Sequence, residues 1–285
     1  MSSAYAIEAR RQLIGLFGIV ERNVYLTKRY LLWDLAFMVW TIANTLTIVF
    51  IARGLHLSPA KVNTAETALL VGATIWAFLG IIFEFMTEIV AWERWEGTIE
   101  YTFMAPLSRF AHLFGQGAFA VLYGLIRASI LFFAVAAFIG LHMPGANFGA
   151  AFLLLAIASL SFIGIGIMTS VLPLISPEKG AQLGFVAQGL MLVVSGVYYP
   201  VNVMPQWMQW IAKISPATYA LRGDRASIIG TFDAHGNLVT PPTEIAWANV
   251  WPLLIIAVLA TPIGLAIFNR GERYAKKHGK LKRAG

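Results

Sequence analysis

The sequence predicts an all-α integral membrane protein with six transmembrane helices, and three observations carry that prediction. Six apolar windows, at about 31–51, 65–86, 112–141, 147–175, 181–200 and 247–268, each reach the ~20 residues that a helix needs to cross a hydrocarbon core. The chain is 58% hydrophobic and 12% charged, with a mean hydropathy of +0.71, so apolar side chains must face lipid as well as one another. The basic residues, finally, divide by side. Six spans place both termini together; that side, with the second and fourth connections, holds 15 of the 21 Lys and Arg, the other side five, and Arg127 lies within a span. Basic residues accumulate on the cytoplasmic face, so we expect a multi-pass protein of the cell (inner) membrane with N and C termini cytoplasmic. These flanks, set against anionic lipid, account for the net charge of +7, and no nucleic-acid partner is expected.

The chain is expected to form a single transmembrane domain over residues 1–285. Residues 1–28 lack the unbroken apolar core of a cleavable signal sequence, because Glu8, Arg10, Arg11, Glu21 and Arg22 interrupt it. At 100° per residue Ala6, Ala9, Leu13, Leu16, Phe17 and Val20 share a face opposite Glu8, Arg11 and Arg22. That is the pattern of an N-terminal amphipathic interface helix, and equally of a helix packed on a soluble partner. After the second window, residues 88–109 form a cytoplasmic segment in which helical spacing sets Ile99 and Phe103 beside Glu93, Glu96 and Glu100, until Pro106 stops the helix. Such a helix either docks on another protein or lies at the interface within a solvated loop. The third connection, 141–146, is a tight turn, and the fourth is short with Pro177-Glu178-Lys179-Gly180 at its tip.

The fifth connection, 201–246, is expected to carry short outer helices and a loop. Trp207, Met208, Ile211 and Ile214 share one face, and Gln206, Gln209 and Lys213 the other. A helix from Pro205 to just before Pro216 would therefore lie along or dip into the outer leaflet, with Trp207 and Trp210 at headgroup level. Asp233 to Pro242 reads as a turn-rich loop, and 269–285 as a basic cytoplasmic tail.

Asp34, Glu84, Glu88 and Arg127 lie in or beside apolar windows, where a charge costs at least ~2.5 kcal/mol at the bilayer centre. Either they form a substrate or gating site, or Arg127 pairs with a carboxylate while Asp34 and Glu88 lie near the cytoplasmic interface. Gly180 and Gly184, four residues apart, permit close helix packing, as do Gly164, Gly166, Gly189 and Gly196. Gln182 and Gln188 face either a dimer seam or a cavity. With no cysteine, and with His56, His112, His142, His235 and His278 scattered, no disulfide, thiol chemistry or metal site is expected. An intramembrane enzyme would need a nucleophile and base, and a stand-alone secondary transporter inverted halves with paired broken helices. Neither pattern is present, and these two remain the alternative readings.

Two connections resemble one family. Glu93-Arg94-Trp95-Glu96-Gly97-Thr98-Ile99-Glu100, followed by Ala105-Pro106-Leu107, looks like the cytoplasmic loop after the second span in permeases of type-two ATP-binding-cassette (ABC) exporters. Ser195-Gly196-Val197-Tyr198-Tyr199-Pro200, Met204-Pro205-Gln206-Trp207 and Ser215-Pro216-Ala217-Thr218-Tyr219-Ala220-Leu221-Arg222 resemble that family's passage from the fifth span into the outer helices. Order, spacing and topology agree over nearly the whole chain. Trp92 and Trp95, bulkier than the family's loop, and a glycine-rich outer loop after Ile229 depart from the pattern.

The resemblance implies a permease subunit working with a second permease chain, identical or different, and with two copies of a cytoplasmic ABC ATPase. It implies a coupling helix between spans two and three, formed by Glu93, Arg94, Glu96, Gly97, Thr98, Ile99, Glu100 and Tyr101, with the helix at 4–20 as a second contact. Tyr198, Tyr199, Pro200 and Trp207 would then line an outer gate or exit. The implied cargo is an amphiphilic or hydrophobic drug, lipid or lipid-linked glycan, exported from the cytoplasm or inner leaflet by alternating access. A P-loop requires Gly-Lys followed by Ser or Thr, yet the one Gly-Lys pair, Gly279-Lys280, precedes leucine. The chain is therefore not expected to be an enzyme or to bind a cofactor by itself, and ATP and Mg belong to the partner ATPase.

Overall fold

The computed structural model describes residues 2–54, 59–141, 143, 145–232, 238–240 and 247–281. Among these the backbone is almost wholly helical, as a chain in lipid must be to satisfy its own N–H and C=O groups. The helices are α1 (Ser2–Arg29), α2 (Leu31–Arg53), α3 (Pro59–Thr87), α4 (Ile89–Trp95), α5 (Ile99–Met104), α6 (Arg109–Ile139), α7 (Phe148–Thr169), α8 (Val171–Ile175), α9 (Gly180–Val194), α10 (Gln206–Ala212), α11 (Pro216–Ile229) and α12 (Trp247–Lys277). Local chemistry sets several ends. Ser108 Oγ accepts from the Ala111 amide at 3.1 Å to open α6, Asn147 Oδ1 accepts from the Ala150 amide at 2.9 Å to open α7, and Gly140 closes α6 in the left-handed region.

Five stretches are long and apolar enough to cross a membrane: Leu31–Arg53, Lys61–Thr87, Arg109–Ile139, Phe148–Ile175 and Ala248–Lys277. They answer five of the six predicted windows. The remaining window, 181–200, contains α9 of 15 residues, about 22 Å of helix against a ~30 Å hydrocarbon core. The reason is local: after Ser195 the chain turns at Gly196 (φ 72°), so apolar Val197 to Tyr199 lie outside the helix. In the expected turn-rich loop, Leu238–Thr240 instead forms a short antiparallel ladder with Thr231–Phe232; its other residues lie outside the described ones.

The bundle is built around α3. Leu70, Phe78, Leu79, Ile82 and Met86 are fully buried there, against α2, α6, α7, α9 and α11. Small residues bring α7 and α12 together: a Cβ on Gly164 would touch Ala260, and Ser161 Oγ donates to the Leu253 carbonyl at 2.7 Å. At one end α11 is sunk among α3, α7 and α12, while Trp207 and Trp210 of α10, and Ile214 just after it, are exposed. At the other end lie α4, α5 and α1. The interface helix expected at 4–20 continues to Arg29 and packs along the first turns of α6, where a Cβ on Gly115 would meet Ile19. Asn23 Nδ2 donates to Gln116 Oε1 at 2.8 Å across that contact, and Leu13 and Phe17 of the predicted apolar face stay exposed.

Candidate functional site

A cavity of about 520 Å³ opens between the end of α1, α2, α3, α4 and α6, with Gln188 of α9 on its rim. Its flank is aromatic and apolar, with Trp33, Phe37, Trp76 and Phe85, and its floor is polar, with Arg22, Gln116, Glu93 and Glu96. Three of the four predicted intramembrane charges line it: Asp34, Glu84 and Arg127. Arg127 Nη1 lies 3.0 Å from Asp34 Oδ1, and the Tyr123 hydroxyl both donates to Asp34 and accepts from Arg127 at 3.2 Å. Asp34 is thus the carboxylate that Arg127 finds. The Glu84 carboxylate makes no hydrogen bond or ion pair among the described residues, and the residue is exposed on the wall. Glu88, outside the lining, accepts from Trp92 Nε1 at 3.1 Å, and burial pushes its carboxyl above the usual carboxylate range.

The floor is the inner face of the segment predicted to couple to an ATPase, and here two expectations need correction. The single helix over Glu93 to Tyr101 is two, α4 and α5, because Gly97 adopts φ 74° and turns the chain between them. Glu93, Arg94 and Ile99, expected at a protein contact, are buried inside this chain at 1%, 4% and 0% exposure. Their charges are met internally. Glu93 Oε1 accepts from Arg22 Nη1 at 3.1 Å and lies 3.0 Å from His112 Nε2. Arg94 donates to the carbonyls of Pro173 and, at 2.7 Å, Lys280, which ties α4 to α8 and to the segment after α12; burial lowers its pKa from the ordinary guanidinium value.

Glu96 accepts from the Tyr30 hydroxyl at 2.9 Å and from Arg29 at 3.4 Å, and that carboxylate contact raises the Tyr30 pKa. Trp92 and Trp95, the departures from the family pattern, pack with Tyr30, ring centroids 6.4 and 5.7 Å from it. They cover Tyr30 at the junction between α1 and α2 while remaining partly exposed themselves. Outward, the corner presents Glu100, Tyr101 at 78% and Met104 at 83% exposure. Arg109 fixes its far side: it makes two 2.9 Å bonds to Glu272 of α12 and stands 4.3 Å from the centre of the Phe103 ring.

The predicted outer-gate residues lie apart from this cavity; none of Tyr198, Tyr199, Pro200 or Trp207 lines it. Tyr199 donates to the Val193 carbonyl, Pro200 leads into a single 3₁₀ turn, and Trp207 is exposed on α10. Arg225, which was not singled out in the sequence, holds this end together by donating to the carbonyls of Ala68 at 3.3 Å, Gly196 at 3.0 Å and Val197. Tyr123 was also missed, although its place four residues before Arg127 on α6 was a usable signal. The meeting of His112 with Glu93 has no such signal, because only the packing of α4 on α6 creates it. Gly180 and Gly184 prove to be close-packing positions, where a Cβ would run into α8 and into Thr87, and Gln188 rather than Gln182 reaches the cavity.

Long apolar helices around a partly polar cavity are the architecture of a membrane permease. Residues 23–229 match the family of ABC-2 type transporters, and the chain belongs to that family as an ABC transporter permease. Over 184 residues it is 29% identical to a probable multidrug ABC transporter permease, YbhR, of Escherichia coli strain K12, and equally to that of Escherichia coli O157:H7. The match covers 64% of this chain and 46% of each relative, so the chain spans about half the length of the curated relatives it matches.

Proposed function

We propose that the chain is the membrane-spanning subunit of an exporter that moves an amphiphilic or hydrophobic substrate outward by alternating access, driven by ATP hydrolysis in a separate ATPase that binds ATP and Mg. The observation that carries this reading is that Glu93, Glu96 and Trp92 line the cavity floor and also form the back of the α4–α5 corner. A force applied to Glu100, Tyr101 and Met104 therefore reaches the cavity through a few rigid, internally paired side chains. The end bearing α4 and α5 is cytoplasmic in this reading, as the distribution of basic residues requires. Two ATPase copies would press on two such corners, one per permease chain. A second copy of the chain would close the cavity along α2 and α9, whose Trp40, Leu183 and Leu190 lie exposed beside it.

The aromatic flank suits the apolar body of a drug, lipid or lipid-linked glycan, and similarity to a probable multidrug permease favours drugs among these. Co-expression with a candidate ABC ATPase, purification through a tag on this chain alone, and vanadate-sensitive ATP hydrolysis in lipid test the reading. A stoichiometric, active complex is expected. In it, Tyr101→Ala with Met104→Ala should abolish stimulation of hydrolysis while membrane insertion persists. Stable chain that recruits no ATPase would instead point to a stand-alone transporter.

A further inference from the structure

A second, smaller cavity of about 60 Å³ lies between α3, α6, α7 and α11, with Ala128 of α6 on the wall between it and the site above. Asp224 of α11 lines it at 1% exposure, and neither of its carboxylate oxygens has a hydrogen-bond partner. Thr74 of α3 lines it as well, 7% exposed, with its hydroxyl equally unpartnered. Most of the remaining wall is apolar, and the rings of Phe132, Phe133, Phe148 and Phe152 belong to it. Among the described residues no Lys, Arg or His lines this space, and the adjacent Arg225 is committed to backbone carbonyls elsewhere.

A carboxylate withdrawn from water without a partner is strongly disfavoured, so the site as built calls for a ligand. The cavity exceeds the room one water needs, and phenylalanine faces attract cations. Phe133 and Phe152 are 55% and 44% exposed, so the cavity opens on the apolar flank of the bundle. We propose that Asp224 and Thr74, within this ring of phenylalanines, bind the ammonium group of an amphiphile whose alkyl chain lies along the exposed faces of α6 and α7. The ammonium supplies the countercharge and donors for Asp224 and Thr74, and the rings solvate its remaining faces. It comes either from an aminophospholipid headgroup or from a cationic amphiphile.

Thermal unfolding of the full chain in a neutral maltoside detergent, titrated with dodecylammonium chloride, tests this. The unfolding midpoint should rise saturably, while dodecanol should give no such rise. Asp224→Asn, which keeps the shape and removes the charge, should weaken the apparent affinity about tenfold or more, and Thr74→Val should weaken it less. Native mass spectrometry separates the sources: retention of phosphatidylethanolamine over phosphatidylglycerol by the wild type but not by Asp224→Asn assigns the site to lipid, and dodecylammonium binding without that preference assigns it to a cationic amphiphile. The proposal is overturned if Asp224→Asn responds like the wild type, or if the wild type ignores dodecylammonium, which would leave Asp224 a neutral buried acid.

Discussion

Glu93 and His112 meet 3.0 Å apart, both almost fully buried, with Arg22 on the same carboxylate oxygen. Charges in such a place hold only while all partners are present. Glu93→Ala removes the common acceptor and is predicted to lower stability by roughly 3 kcal/mol, read as a lower unfolding midpoint in detergent; Glu93→Gln, which keeps an acceptor, should lose less. Asp34 and Arg127, about one-fifth exposed on the cavity wall, permit a reciprocal test. Arg127→Asp and Asp34→Arg should each impair folded yield, and the double exchange should recover much of the loss, with a coupling of about 1 kcal/mol in a double-mutant cycle. The cost of a charge within a span announced that Arg127 needed water or a partner, and left open both a substrate site and a pairing with a carboxylate. Sequence spacing made Glu93 and Arg94 look like surface residues, since their partners are 71 and 79 positions away, at Arg22 and Pro173. Burial of a charge cannot be inferred from its own neighbours in the chain.

At the scale of elements, hydropathy located the spans well because length and apolarity are what a bilayer selects. It misjudged α9, since an apolar run reports burial and not helical continuity, and the turn at Gly196 ends the helix before the run ends. The same limit hid the break between α4 and α5. Gly97 was part of the motif, yet only its positive φ makes the corner that turns Glu100 and Tyr101 outward. Gly97→Ala is therefore predicted to cost about 1–2 kcal/mol and to lower coupled ATPase activity, both measurable in the assembled complex. Gly184→Leu acts on a different contact. Its side chain would collide with Thr87 and push α9 from α3, costing about 1–3 kcal/mol and reducing yield of folded protein from membranes.

For the whole molecule, the arrangement links a cavity among α1, α2, α3, α4 and α6 to a corner at one end, through residues that belong to both. That linkage was only half visible in the sequence: the corner's position followed from its motif and from the basic residues around it, whereas the cavity needs helices distant in sequence to converge. In the proposed exporter the corner faces the cytoplasm and docks on an ATPase. The chain has no cysteine, so a single introduced one reports on its own position alone. The most direct measurement is labelling of Tyr101→Cys by a membrane-impermeant maleimide in inverted and right-side-out vesicles, with and without the ATPase bound. Labelling is expected in inverted vesicles only, with strong protection once the ATPase is assembled. Labelling from the opposite face, or labelling undiminished in the assembled complex, would contradict it.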